Sequence, residues 1–285
     1  MSNNPLANLG DLTKPATVLI EKISDAVGGV FKPFQIVRVA RAEAEAELIH
    51  AEAQIRVSDL QRRAMHRFLV EEAKRQSNIE SITQKALPLL DEKASPQGVE
   101  DDWITNFFDK SRIISDEEMQ RLWSKLLAGE ANNPGTFSKR TVNLLGDLDK
   151  RDAEFFTSLC GFVWVIAQSP VPIVFDAHVD IYNRESINFG ILSHLETLGL
   201  IQFGPLAGFR RTNLPKNITV SYFGRALELT LHLETANQLD TGKVLFTQAG
   251  HELALVCGSK PADQFFDFVY ERWAAQGLAP TKAKL

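Results

Sequence analysis

The sequence predicts a mainly α protein with a smaller α+β part. Three stretches carry this. Residues 39 to about 90 are dense in Ala, Glu, Arg and Leu, contain no Gly, and meet their first Pro at Pro88. Residues 115 to 148 read as helix, stop, turn and helix. Residues 152 to 257 mix helical and strand periodicities with turn residues between them. The predicted parts are a long N-terminal helix, a helical hairpin module and a winged-helix-like C-terminal module.

Residues 1–14 are polar and read as a flexible N-terminus without a basic stretch followed by an apolar core, so the expectation is a cytoplasmic protein. From residue 16 to 39, Ile20, Ile23, Val27, Val30, Phe31 and Phe34 recur at helical spacing, interrupted by Glu21, Lys22, Asp25 and Lys32. A bilayer-spanning helix needs about 20 nearly uncharged residues, so this segment is expected to dock on protein. Its alternative use is a membrane-surface helix, although such helices are rich in Lys and Arg.

The charged helix over 39–90 carries a narrow apolar stripe that includes Leu48, Ile55, Leu60, Ala64, Phe68 and Leu69. A long helix with a thin stripe buries little against its own domain and more often pairs with another helix. Leu48, Ile55, Leu60, Phe68 and Leu69 are therefore the candidate oligomer interface, in a segment spanning 15–90. Residues 91–100, with Pro, Gly, Ser and charge together, read as a linker.

Residues 101–150 form the helical module. "WITNFF" pairs Trp103 with Phe107 and Ile104 with Phe108 at i,i+4. Ser115 and Glu118 have the spacing of a capping box, and Met119, Leu122, Trp123, Leu126 and Leu127 follow as a core stripe. Gly129 is expected at the helix C-terminus, "NNPG" as a turn, and Ser138 as the cap of a next helix facing inward with Val142, Leu145 and Leu148. The stretch is not a phosphate loop, because five residues separate its glycines and no Lys follows.

In the module over 151–257, "DAEFFTSLCGFVWVIAQ" reads as an apolar helix and "PIVFDAHVDIY" as a strand. "SINFGILSHLETLGLIQF" reads as a helix ending at Gly199 and running into a strand. "RALELTLHL" and "KVLF" are strands, and "TQAGHELALVC" a helix capped by Thr247. Residues 258–285 form a docking helix, with Phe265, Phe266, Val269 and Trp273 inward, and a disordered tail.

Chemistry has few candidates. Asp176, His178 and Asp180 share one face of the expected strand and are the weak metal candidates; an ordinary polar strand face is the competing meaning. His50, His66, His194, His232 and His251 form no zinc-type spacing, and no G-x-S-x-G elbow occurs. The acidic starts "EDDW" and "SDEE" suit helix N-termini. Cys160 and Cys257 are expected as free buried thiols, and no cofactor is expected.

The 31 Lys and Arg against 36 Asp and Glu give a charge of −5, which disfavours a dedicated nucleic-acid binder. Within "INFGILSHLETLGLI" the outer face offers no Lys or Arg to a groove. Arg210, Arg211 and Lys216 in "GFRRTNLPKN" are the nucleic-acid candidates, as a wing against phosphates.

Four stretches together, "RAEAEAELIHAEAQ", "QRRAMHRFLVEEAKRQSNIESITQKA", "DEEMQRLWSKLLAGEANNPGTFSKRTVNLLGDLDKRDAEFF" and "LFTQAGHEL", resemble the bacterial family catalogued as domain of unknown function 2806, over about residues 15 to 257. The "LWSKLLA" helix is also similar to one in the abortive-infection alpha proteins, which implies a setting in phage defence. Neither resemblance assigns a catalytic residue. The expected function is a non-enzymatic bacterial interaction protein, homo-oligomeric through residues 39–90, with a protein partner. The alternatives are a winged-helix nucleic-acid-binding regulator and a peripheral membrane effector using residues 16–39.

Overall fold

A computed structural model of the chain describes residues 13–28, 58–278 and 280–282. The protein is mainly α with a smaller α+β part, and it divides into two compact units, residues 1–146 and 147–285.

The first unit is helical. Helix α1 (Lys14–Val27) starts on Pro15 and stops at Gly28, whose φ of 80° suits a residue without Cβ. Helix α2 spans Asp59–Ala86, α3 Asp101–Ser111, α4 Glu117–Asn132 and α5 Lys139–Asp147. The apolar face of α1, Ala16, Leu19 and Ile23, is buried and packs on α3. Lys22 fixes that seam, donating to the Val99 carbonyl and pairing with Asp101 at 3.1 Å. Residues 29–39 of the candidate membrane segment lie outside the described residues.

Helix α2 opens on a capping box at Ser58, whose hydroxyl accepts the Gln61 N–H while the Gln61 side chain accepts the Ser58 N–H. The described long helix therefore begins at Asp59. Residues 91–100 are held onto the end of α4: Ser95 N–H donates to the Ala131 carbonyl, and Asp91 N–H to Asn132 Oδ1.

Two local expectations for α4 need correction. Its N-cap is Asp116, accepting the N–H groups of Glu118 and Met119 at 3.0 Å, in place of Ser115. Aspartate does this with a full charge at the positive end of the helix. Gly129 lies inside α4 rather than at its end, and the cap is Asn133. Trp103, Ile104, Phe107 and Phe108 of α3 are buried as expected, with Phe107 edge-on to Trp123 of α4 at 5.1 Å.

The second unit starts with α6 (Lys150–Cys160), closed by Asp149 and Asp152 as a reciprocal cap. The expected apolar helix ends there, and "VWVI" is instead strand β1 (Val163–Ile166), paired antiparallel with β2 (Ser169–Pro172). Ala167 and Gln168, with φ of 49° and 64°, make the two-residue turn between them. The expected strand over 172–182 is also corrected. After β2 the chain turns and enters the short α7 (Asp180–Asn183), followed by α8 (Phe189–Thr197) and β3 (Ile201–Phe203).

Strands β4 (Phe209–Leu214), β5 (Asn217–Tyr222), β6 (Arg225–Thr230) and β7 (Asn237–Gly242) precede β8 (Val244–Phe246). Strand β8 pairs antiparallel with β3, which follows α8, and β4 pairs antiparallel with β7 in a separate two-stranded sheet. Strands β5 and β6 join β1 and β2 in a sheet of order β2-β1-β5-β6-β9. The last strand, β9 (Thr281–Lys282), comes from the tail expected to be disordered and pairs with Leu227 and Glu228.

Helix α9 (Gln248–Ala254) is capped by Thr247, and α10 (Phe265–Ala275) closes the core. Trp273 and Phe266 of α10 lie 4.9 and 5.4 Å from Trp164, and Phe265 lies 4.8 Å from Phe162.

Candidate functional site

An α-helix repeats its angular positions every 18 residues, five turns of 3.6. In the C-terminal half of α2, Asn78, Ile79, Ile82, Thr83 and Ala86 are buried, and α2 packs on α4. Eighteen residues earlier, at the same angles, stand Leu60, Gln61, Ala64, Met65 and Phe68, all exposed. The seam that α2 uses for its own core thus continues along a half-helix that nothing described covers. The cause is length: α2 has 28 residues and α4 has 16.

Leu60 is 69% exposed and Phe68 57%, and Met65, Leu69 and Val70 are exposed beside them. An apolar group of this kind on a solvated helix marks an interaction surface. Leu60, Phe68 and Leu69 of the expected interface stand on it, whereas Leu48 and Ile55 lie outside the described residues. Met65 and Val70 were not among the expected residues, although Met65 falls on the same stripe. Arg62 and Arg63 pair with Asp59, and Glu71 and Glu72 with Arg75, on the helix surface.

The patterned motifs have a different use. Asn78 donates to the Arg112 carbonyl at 2.8 Å, and Gln120 to the Ile114 carbonyl at 2.9 Å. Ser81 and Lys85 both donate to Gln120 Oε1. These residues of "RQSNIESITQK" and "DEEMQRLW" therefore satisfy the end of α3 and the turn before α4, where backbone carbonyls lack helical partners.

In "LLAGEANNPGTFS", Glu130 is 3% exposed, and its carboxylate accepts Gly135 N–H at 2.6 Å and Phe137 N–H at 2.8 Å. Trp103 Nε1 donates to the Phe137 carbonyl at 2.7 Å. Gly129 leaves room for the Phe137 ring, since a Cβ there would lie 2.7 Å from Cε2. A cavity of about 530 Å³ opens between this loop, Gly98 and Glu100, with Lys139 at its rim. In "LFTQAGHEL", Gly250 is required because a Cβ would meet the Leu200 carbonyl oxygen at 1.9 Å.

The expected chemical candidates are not brought together. Asp176 and His178 are exposed on the turn before α7 and Asp180 is exposed at its first residue, so the three do not share a strand face. Asp176 accepts the His178 N–H, and Asp180 pairs with Arg184. Among the described residues, no group of three His, Cys, Asp or Glu side chains could hold a metal ion.

Arg210 and Arg211 lie on β4 rather than in a loop, at successive positions and hence on opposite faces. Arg210 stands opposite Asp240 of β7, and Lys216 is paired with Glu234. His194 on α8 is bonded to Asp152 of α6 at 2.7 Å. Cys160 is buried and Cys257 half-buried, and burial first, with Cys257 beside it, pushes the Cys160 thiol well up.

A model of the family described as "Protein of unknown function (DUF2806)" matches residues 62–270. The chain belongs to this family. No curated protein matches the chain, and no solved structure does. The DUF2806 region runs from the first turn of α2 into α10 and so enters both units. It takes in the Asn78–Gln120 network, the Glu130 loop and the Gly250 turn. The "RAEAEAELIHAEAQ" stretch, residues 41–54, lies before the matched region. Among the described residues, no helix is long and apolar enough to cross a membrane.

Proposed function

We propose that this DUF2806 protein is a non-enzymatic interaction protein of the bacterial cytoplasm that self-associates through the N-terminal half of α2. The supporting observation is the seam itself: the angular positions filled by Ile79, Ile82 and Ala86 in the core are filled by Gln61, Ala64 and Phe68 in solvent. Covering Leu60, Met65 and Phe68 on association would remove apolar area from water at about 25 cal/mol per Å². The setting we propose is defence against phage, which rests on the similarity of "LWSKLLA" to the abortive-infection alpha proteins.

The test is light scattering after size exclusion across a concentration series of the whole chain. Removing residues before 93 would strip Ile79, Ile82 and Ala86 from the first unit's core, so the intact chain is the right material. A mass of twice 31.8 kDa or more supports the proposal, and 31.8 kDa at every concentration sinks it. Absorbance at 260 nm on the same peak separates off the alternative of a nucleic-acid-bound regulator.

A further inference from the structure

Helix α2 sorts its charges by face. At about 100° per residue, the seam runs through Leu60, Ala64 and Phe68, and Glu71, Glu72 and Arg75 fall within it. The opposite face carries Arg62, Arg63, His66 and Lys74, with Arg67 at its edge, all exposed. Between residues 59 and 77, Asp59 is the one acidic side chain on that half of the helix. We infer that this basic face is a contact for the phosphate backbone of a nucleic acid, made without regard to base sequence. The face stays in solvent whether or not the seam is covered, so the inference stands apart from self-association.

The layout of the charges selects this occupant. Arg62 and Lys74 lie about 18 Å apart along the helix axis, and a nucleic-acid strand is itself a line of charges about 3.4 Å apart along its axis. Arginines supply most of the charge, and their planar fork holds phosphate oxygens through two N–H groups. A bilayer would instead bury the apolar seam and leave this face in water, because a membrane-surface helix inserts its apolar side.

Arg62 and Arg63 now share Asp59, and Arg67 pairs with Glu71 at 3.7 Å. Exposed i,i+3 and i,i+4 pairs of this kind are weak, and Asp59 balances only one of the cations. The whole chain carries a charge of −5, so the rest of its surface repels the same phosphates. The contact is therefore local and reversed by salt, unlike the tight complex of a dedicated regulator.

Fluorescence anisotropy of a labelled DNA duplex of about 20 base pairs, titrated with the full chain to about 100 μM at about 50 mM salt, tests this. R62E/R63E/K74E should raise the dissociation constant about tenfold or more, while R210E/R211E on β4 should bind as wild type. Circular dichroism should show wild-type helix content in both. The wild-type constant should rise about twentyfold or more between about 50 mM and about 150 mM salt, as three to four phosphate contacts require.

No anisotropy change with wild type would overturn the inference, as would equal binding by R62E/R63E/K74E. A loss confined to R210E/R211E would move the contact to β4, and binding to phosphatidylglycerol vesicles in place of the duplex would move it to lipid. Either result overturns it as well.

Discussion

The Glu130 carboxylate reaches across the turn after its own helix to accept the Phe137 N–H at 2.8 Å, while the Phe137 ring fills the space that Gly129 leaves open. A helix end, a turn and the next helix start are thereby held by one buried side chain. Replacing it with Glu130→Ala leaves the buried Phe137 N–H and the part-buried Gly135 N–H without that acceptor, and an unsatisfied buried donor costs about 1–3 kcal/mol. The tryptophan fluorescence transition of Trp103 and Trp123 should move to lower temperature, with Glu130→Gln milder. An unchanged transition in both would mean that the turn is held by other contacts.

Gly129→Ala separates two opposite expectations. Helix propensity alone gives a gain of about 1 kcal/mol for alanine inside a helix. The 2.7 Å approach to a pinned aromatic ring reverses the sign, giving a loss of about 1–3 kcal/mol. Chemical denaturation reads the sign directly, and a stabilised variant would show that the ring can move aside.

Asn78 and Gln120 act as a unit, because their amides serve the Arg112 and Ile114 carbonyls and approach each other at 3.4 Å. Each single alanine substitution should cost about 1–3 kcal/mol. The double variant should cost less than the sum, by at least about 0.5 kcal/mol. Strict additivity in a double-mutant cycle would contradict a shared network.

The second unit should weaken in alkali. Burial pushes Tyr222 up to about 12, against a hydrogen bond from the Ala262 N–H that lowers it, and burial raises Tyr182 as well. Folding then favours the protonated phenol, and the unfolded chain binds fewer protons above its ordinary value near 10. Stability is accordingly full below about pH 10 and falls as the pH climbs toward 12. Tyr222→Phe should flatten that fall while losing the bond to the Gly161 carbonyl. Urea unfolding at several pH values measures both.

Thiol labelling offers a check on the same unit. Burial holds the Cys160 thiol protonated, whereas Cys257 is partly exposed. An aromatic disulfide reagent should label Cys257 alone in the native protein and both after unfolding. Equal native rates would place Cys160 nearer the surface.

Much of this was legible in the residues. The stripes of α3, α4 and α10 follow from aromatic and leucine spacing, and Phe265, Phe266, Val269 and Trp273 are all buried as their period requires. The turn at Ala167 and Gln168 was not legible, because neither residue is among those that favour positive φ, so "VWVI" looked like more helix. Tail strand β9 depends on a free edge of β6 far away in sequence, which no local pattern announces. The seam on α2 was readable as apolar spacing, but which half of it would be buried depended on the length of α4. No local pattern marks Glu130 and Asn78, since their partners are backbone groups of turns whose geometry the sequence does not spell out.

Light scattering of the full chain beside Leu60→Glu/Phe68→Glu tests self-association through α2 most directly. Both side chains are exposed in the protomer, so the substitutions leave the core of the first unit intact. A wild type at twice 31.8 kDa or more and a variant at 31.8 kDa, with equal helix content, is the expected result. Equal masses for the two proteins would contradict it.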